Sequence, residues 1–196
     1  MGQYYHAVSL DANQFLTAHD HYGKKEDGGF NGLKLMEHSY IRNPLTAAVE
    51  SLLMKGGAWY GHRIVWAGDY ADPEPETVTE KNESGQNLYD LVRNRLIVDV
   101  EDQKRKGYLR YLVNLDKNLF VDLNKVPKIP DWGGRIHPLP LLTCEGNGRG
   151  GGDFRYDYDE NPEYDNLIGS WARDRIAMET KRPKDKEELI FDIVEP

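Results

Sequence analysis

The feature that most constrains this chain is that it resembles itself. Residues 2–16, GQYYHAVSLDANQFL, lie over residues 107–121, GYLRYLVNLDKNLFV. The overlay matches Gly2 with Gly107, Val8 with Val113, Leu10-Asp11 with Leu115-Asp116, Asn13 with Asn118 and Phe15 with Phe120. Further along, GLKLM (32–36) shares a Leu-x-Leu spacing with PLPLL (138–142), and WYGHRIV (59–65) shares Trp, Arg and Ile with WARDRIA (171–177). Three matches in one order at nearly one offset indicate a duplicated unit, which must place the same local structure twice. The expected division is a first pseudo-repeat over 1–100 and a second over 101–196.

Each match has a physical reading. In AVSLDANQFL, apolar residues alternate up to an Asp-x-Asn turn and resume after it, the pattern of a β-hairpin. HRIVWAG and DRIAME read as strands with a buried Ile, the two Leu-x-Leu segments as strands, and RLIVDV (95–100) and LIFDIV (189–194) as half-buried strands near the end of each copy. One stretch is plainly helical. In NPLTAAVESLLMKGG, Asn43 caps, Pro44 takes the first helical position, Leu45, Val49, Leu52 and Leu53 share a face, and Gly56 follows the end. A shorter helix is expected over 86–95, after an acidic, proline-punctuated connector. The fold class expected is therefore α+β: a duplicated unit of a β-hairpin plus strands, its helix in the first copy, with antiparallel sheets in one compact body. Trp59 and Trp171 are expected as equivalent core anchors.

Bulk properties narrow the function classes. The chain has 196 residues, 39% of them hydrophobic and 30% charged, enough for a real core and not the composition of a disordered segment. Its formal net charge of −8 repels nucleic acid and anionic membranes. The short basic run KRPKDK (181–186) reads as a solvated face diluted by acids. The single cysteine, Cys144, forms no intrachain disulfide and reads as a buried small apolar residue. With no signal-peptide pattern and no apolar run of spanning length, a cytoplasmic protein without membrane contact is expected. His19, His21 and His38 lack a zinc-type partner motif, so no metal and no cofactor are called for. Lys34, His38, Arg63 and Asp69 flank predicted strand ends and read as surface ion-pairing groups.

The segment CEGNGRGGGDF (144–154) puts five glycines into seven residues around Arg149. Gly146, Gly148 and Gly151 satisfy Gly-x-Gly-x-x-Gly, but no helix follows to face a pyrophosphate. The Lys of a Walker loop is missing, Cys144 and Arg149 are too close for a Cys-x5-Arg cradle, and the later Asp157, Asp159 and Asn161 are followed by Pro162 where a calcium loop needs glycine. Two readings remain. The glycines turn the chain, or their amides form a concave nest for an anion with Arg149 as a fork of donors. A turn needs one or two glycines, and five cost backbone entropy, so the loop from Gly146 to Asp153 is expected to line a ligand-sized concavity. The candidate ligand-binding residues are Gly146, Gly148, Arg149, Gly150, Gly151, Asp153, Tyr156, Arg173 and Arg175.

The stretches MGQYYHAVSLD, NGLKLMEHSY, RIVWAGDYAD, YLVNLDKNLFVDLNKVP, RIHPLPLLTCEGNGRGGGDFR and GSWARDRI together resemble a family of uncharacterised proteins found in bacteria and phages. The resemblance covers most of the chain and implies a shared fold, with no activity or catalytic residue to carry over. Three function classes stay open: a non-catalytic binder of a small anionic ligand such as a nucleotide, which in a phage would suit sequestration of a signalling nucleotide; a nucleotide-acting hydrolase or transferase with Asp153 or Glu145 as general base; and a protein-interaction module using the acidic, Tyr-rich loop. The first is favoured, with a small anionic molecule or nucleotide as partner and homo-oligomerisation left open.

Overall fold

The computed structural model describes residues 3–17, 34–92, 96–97, 109–130, 133–146 and 166–194. Two hairpins organise it. The first pairs β1 (Tyr5–Ser9) with β2 (Gln14–Thr17), and the second pairs β5 (Tyr111–Asn114) with β6 (Leu119–Asp122), both antiparallel. Each four-residue turn closes on an asparagine with left-handed backbone, Asn13 at φ 56° and Asn118 at φ 60°. Asparagine is among the few side chains that accept that region readily. The residue before each turn ties it down: Ser9 Oγ accepts from the Ala12 amide at 3.2 Å, and Asn114 Oδ1 accepts from the Asp116 and Lys117 amides at 3.0 and 2.8 Å.

Each hairpin receives a third strand, β3 (His62–Gly68) on β1 and β8 (Arg175–Glu179) on β5, both antiparallel. The aspartate of the turn then reaches the arginine at the head of that strand. Asp11 accepts from the Arg63 amide at 2.7 Å and from its Nε at 2.8 Å; Asp116 accepts from the Arg175 amide and Nε, both at 2.7 Å. Hydrogen bonding and charge from the arginines hold both carboxyls below the usual aspartate range.

The halves join through β3 and β8, which pair antiparallel with His62 opposite Ile176 and Arg63 opposite Arg175. Because Arg63 and Arg175 hold equivalent places, the seam has local two-fold symmetry. Its flanking bonds obey it: the Gly61 amide donates to Ile176 O at 3.0 Å, and the equivalent Arg173 amide donates to Ile64 O at 2.8 Å. With β4 (Leu96–Ile97) and β9 (Glu187–Glu188) at its edges, the result is one mixed, mostly antiparallel sheet of order β4-β2-β1-β3-β8-β5-β6-β9, not separate sheets. The outermost strands, β4 on β2 and β9 on β6, both run parallel to their neighbours. The expected strand over 189–194 is thus displaced to β9; Phe191 and Ile193 beyond it are core residues in irregular backbone.

The Leu-x-Leu segments lead into helices, which corrects the strand reading, although Lys34 in the first forms an isolated bridge with Tyr4. α1 (Leu35–His38) is a short turn of helix, α2 (Pro44–Leu53) is the expected capped helix, α3 (Leu88–Val92) forms within 86–95, and α4 (Pro138–Thr143) supplies a helix to the second half. α4 tolerates two prolines because Pro138 and Pro140 sit in the first turn, whose amides lack intrahelical acceptors. Its counterpart in the first half is α2. Asn43 and His137 cap the two, proline follows each cap, and the helices end alike: Leu52 O accepts from Trp59 N at 2.9 Å and Leu142 O from Trp171 N at 2.6 Å. A residue just after each helix adds a parallel contact to the sheet, Met54 to Met178 and β7 (Cys144–Glu145) to Trp66 and Ala67.

Alternation along the strands builds a core on each face. Ala7, Ile64, Trp66, Leu112, Ile176 and Met178 join α1, α2 and α4 in the main core. On the other face, Val8, Phe15, Val65 and Ala67 pack against Leu88, Tyr89 and Val92 of α3. The equivalent Val113, Phe120 and Ala177 lie with Tyr111, where the Arg110 and Arg182 guanidinium groups stand 5.0 Å over Tyr111 and 5.2 Å over Phe120. Trp59 and Trp171 are both buried, as is Cys144.

Two outcomes follow. Trp171→Ala, which empties a site walled by α4 and the sheet, lowers unfolding free energy by about 3–5 kcal/mol in urea denaturation; a change below about 1 kcal/mol would place the indole outside the core. Asp11, Asp116 and Asp122, the last held down chiefly by hydrogen bonding from Arg110, have depressed folded pKa values. Their stabilisation is complete above the ordinary carboxylate range and is lost as pH falls from that range through the lower folded values. Stability should therefore decline from pH 5 to pH 3, more gently in Asp122→Asn; an unchanged slope in that variant would deny the linkage.

Candidate functional site: a cavity lined by cations

The second half differs from the first most after its helix. There the chain runs from β7 into the glycine-rich segment before rejoining the pattern at Trp171. Gly146 is buried at the end of β7. Gly148, Arg149, Gly150, Gly151, Asp153 and Tyr156 lie outside the described residues. Arg173 is engaged: its Nε and Nη2 donate to the two oxygens of Glu145 at 2.6 and 2.8 Å, and its Nη1 donates to Glu74 at 3.1 Å. These two carboxylates, hydrogen-bonded to the guanidinium, raise its pKa further. Arg175 is engaged with Asp116. The structure thus sets Arg173 beside the root of the loop and Arg175 on the seam, each already holding carboxylates. Glu145, a candidate base, is half of that clamp.

Arg173 also carries backbone strain. At the equivalent position the first half has Gly61, and both residues are left-handed, at φ 67° and φ 71°. The arginine therefore bears a conformational cost that the glycine avoids, offset by binding Glu74 and Glu145, which are 6% and 5% exposed.

His38, read as a surface group, is buried, and its Nε2 accepts from Trp66 Nε1 at 2.8 Å. Asp69 accepts from the Tyr4 amide at 3.0 Å. Among the described residues no group of histidine, cysteine and carboxylate side chains is placed to hold a metal.

A second location has the features of a binding site. The segments leading into α2 and α4 run antiparallel, with Ile41 N donating to Arg135 O at 3.0 Å, His137 N donating to Ser39 O at 2.9 Å and a bridge between Tyr40 and Ile136. Beside this pairing lies a cavity of about 440 Å³. Its lining includes Arg42, Lys128 and Arg135, apolar Ile41, Leu109 and Leu123, the backbone of Gly133 and Gly134, and the carboxylate-bearing Glu50 of α2.

Local sequence explains each wall. The turn over 40–43 closes through Asn43 N to Tyr40 O at 2.9 Å, with Arg42 at its third position at φ 79°, a conformation that ordinarily selects glycine. On the other side Ile129 N donates to Gly134 O at 2.8 Å and Gly133 N to Ile129 O at 2.9 Å, with Gly133 at φ 72°. Pro127 and Pro130 stiffen the approach on either side of Lys128. Among the described residues Arg42, Lys128 and Arg135 form no ion pair, in contrast to Arg63, Arg110, Arg173 and Arg175.

Beneath them sits a buried pair. His137 Nε2 lies 3.0 Å from Glu50 Oε1, with the two side chains 1% and 3% exposed. The His137 Nδ1 accepts from the Leu139 amide at 3.1 Å as the cap of α4, which assigns the ring proton of the neutral imidazole to Nε2 and makes His137 the donor to Glu50.

None of these cavity residues stood out in the sequence, because each cation is a single charge among neutral neighbours and the walls come from distant segments. Two signals were present: Gly-Gly-Arg at 133–135, and the Asn-Pro-Leu and His-Pro-Leu pair at 43–45 and 137–139.

The strained arginine gives a direct check. Arg42→Gly relieves the left-handed backbone and is expected to leave stability unchanged or raise it by up to about 1 kcal/mol; a loss greater than that in denaturant titration would make the side chain a structural support.

Compared with protein-family models, with curated proteins and with solved structures, the chain matches none.

Proposed function

We propose that this protein binds a small anionic ligand, a nucleotide being the favoured class, in the cavity that Arg42, Lys128 and Arg135 line beside the entrance to α2, and does so without chemical turnover. The observation that carries this reading is the gathering of Arg42, Lys128 and Arg135 on one cavity, without ion-pair partners among the described residues, in a chain of net charge −8. Like charges brought together on a concave wall repel one another, and a bound anion removes that repulsion. The cavity volume lies within the range that small-molecule sites occupy. Strain at Arg42 supports the same reading, since left-handed non-glycine residues gather where function holds them. The described lining offers no hydroxyl or thiol nucleophile, which favours binding over group transfer.

This reading moves the anion from the glycine-rich loop to the opposite end of α4. Isothermal titration with pyrophosphate and with nucleoside mono- and diphosphates tests it. Arg135→Ala and Lys128→Ala should each weaken binding about tenfold or more, with affinity falling as salt rises. Absence of heat for every anion, or affinities that neither variant alters, would overturn the proposal.

A further inference from the structure

The three cations of the cavity stand in an order that the backbone fixes. The Ile41 amide donates to Arg135 O at 3.0 Å, which ties the residue before Arg42 to Arg135. The Ile129 amide donates to Gly134 O at 2.8 Å, which ties the residue after Lys128 to the residue before Arg135. These two acceptors are successive carbonyls, which extended backbone turns to opposite sides. Three neighbouring segments therefore carry one cation each, with Arg135 on the middle one, Arg42 on one flank and Lys128 on the other. Backbones paired in this way lie about 5 Å apart, so the anchors form a row instead of closing round one point.

Arg42 joins the row through its backbone. Extended chain alternates its side chains between faces, which would separate Arg42 from Ile41. The left-handed φ of 79° at Arg42 breaks that alternation, and Ile41, Arg42 and Arg135 all line the one cavity. A side chain set on a cavity wall at the cost of strained backbone indicates a task for it there. The cations outnumber the carboxylate of the described lining, Glu50, which lies 3.0 Å from buried His137.

The donors also have a count. Two guanidinium forks and one ammonium engage about five acceptor oxygens when each fork binds a pair. A phosphate monoester offers about three such oxygens and a charge of about −2. A second phosphoryl group adds about two oxygens and about one negative charge, and it lengthens the anion. Resting on the anion-binding reading above, we infer that the site takes a diphosphate group, held along the row Arg42, Arg135 and Lys128, in preference to a single phosphate. Arg42, at the end of the row, is the residue that distinguishes the two.

The experiment is calorimetric titration of the full chain with orthophosphate, pyrophosphate, AMP and ADP, repeated on Arg42→Gly and Arg42→Lys. In the parent, pyrophosphate should bind about tenfold or more tighter than orthophosphate, and ADP than AMP by a similar factor. Orthophosphate too weak to titrate beside measurable pyrophosphate meets the same expectation. Arg42→Gly accepts the left-handed backbone, removes the cation and should weaken pyrophosphate about tenfold or more. Arg42→Lys keeps the charge without the fork and should fall between that variant and the parent. Parent affinities for orthophosphate and pyrophosphate that are equal would overturn the diphosphate assignment while leaving anion binding intact. So would a pyrophosphate affinity that Arg42→Gly leaves unchanged. Absence of heat for all four ligands would remove the anion-binding reading itself. Should neither variant fold, the two ratios of the parent decide the question alone.

Discussion

The structure depends on a short antiparallel seam between β3 and β8, where Arg63 stands opposite Arg175. Two like charges facing each other across a strand pair would drive the halves apart. Each is neutralised from its own hairpin, Arg63 by Asp11 and Arg175 by Asp116, through both a backbone and a side-chain hydrogen bond. The turn aspartate thus has two tasks, fixing the third strand to its hairpin and making the seam electrostatically tolerable. These pairs are substantially exposed, and as isolated surface ion pairs they would contribute little. Their importance lies in the charge that would remain without them.

The same local two-fold symmetry extends beyond the sheet to the segments entering α2 and α4, which pair at Ile41 and Arg135. Symmetry ends where the side chains differ. Asn43 caps α2, but His137 caps α4 and reaches on to Glu50. Gly61 turns freely in one half, but its counterpart Arg173 is strained and holds two carboxylates. The departures fall into two groups, the Arg173 clamp at the root of the glycine-rich segment and the cavity at the head of the helices. A repeated scaffold supplies the geometry, and unequal side chains at equivalent positions supply the chemistry.

The parts legible in the sequence were those with local causes. Asp-x-Asn turns, alternating strands, the capped α2 and the paired tryptophans each follow from residues within one element. α4 was misread because PLPLL offers a strand-like Leu-x-Leu spacing, and the decisive fact, that both prolines lie in a first helical turn, depends on His137 serving as the cap. The outer strand was placed two residues late because Phe191 and Ile193 are buried without pairing in the sheet. The cavity escaped notice for a different reason. Its cations lie at positions 42, 128 and 135, and nothing short of the fold brings them together.

The claim on which the functional account stands is the location of the anion, and backbone amide NMR reads location directly. In a two-dimensional ¹H–¹⁵N titration with pyrophosphate, the account predicts dose-dependent shifts centred on Ile41, Arg42, Gly133, Gly134 and Arg135, with Asp11, Asp116 and the seam unmoved. Shifts centred instead on the segment after Gly146, or none at concentrations that saturate ordinary phosphate sites, would contradict it.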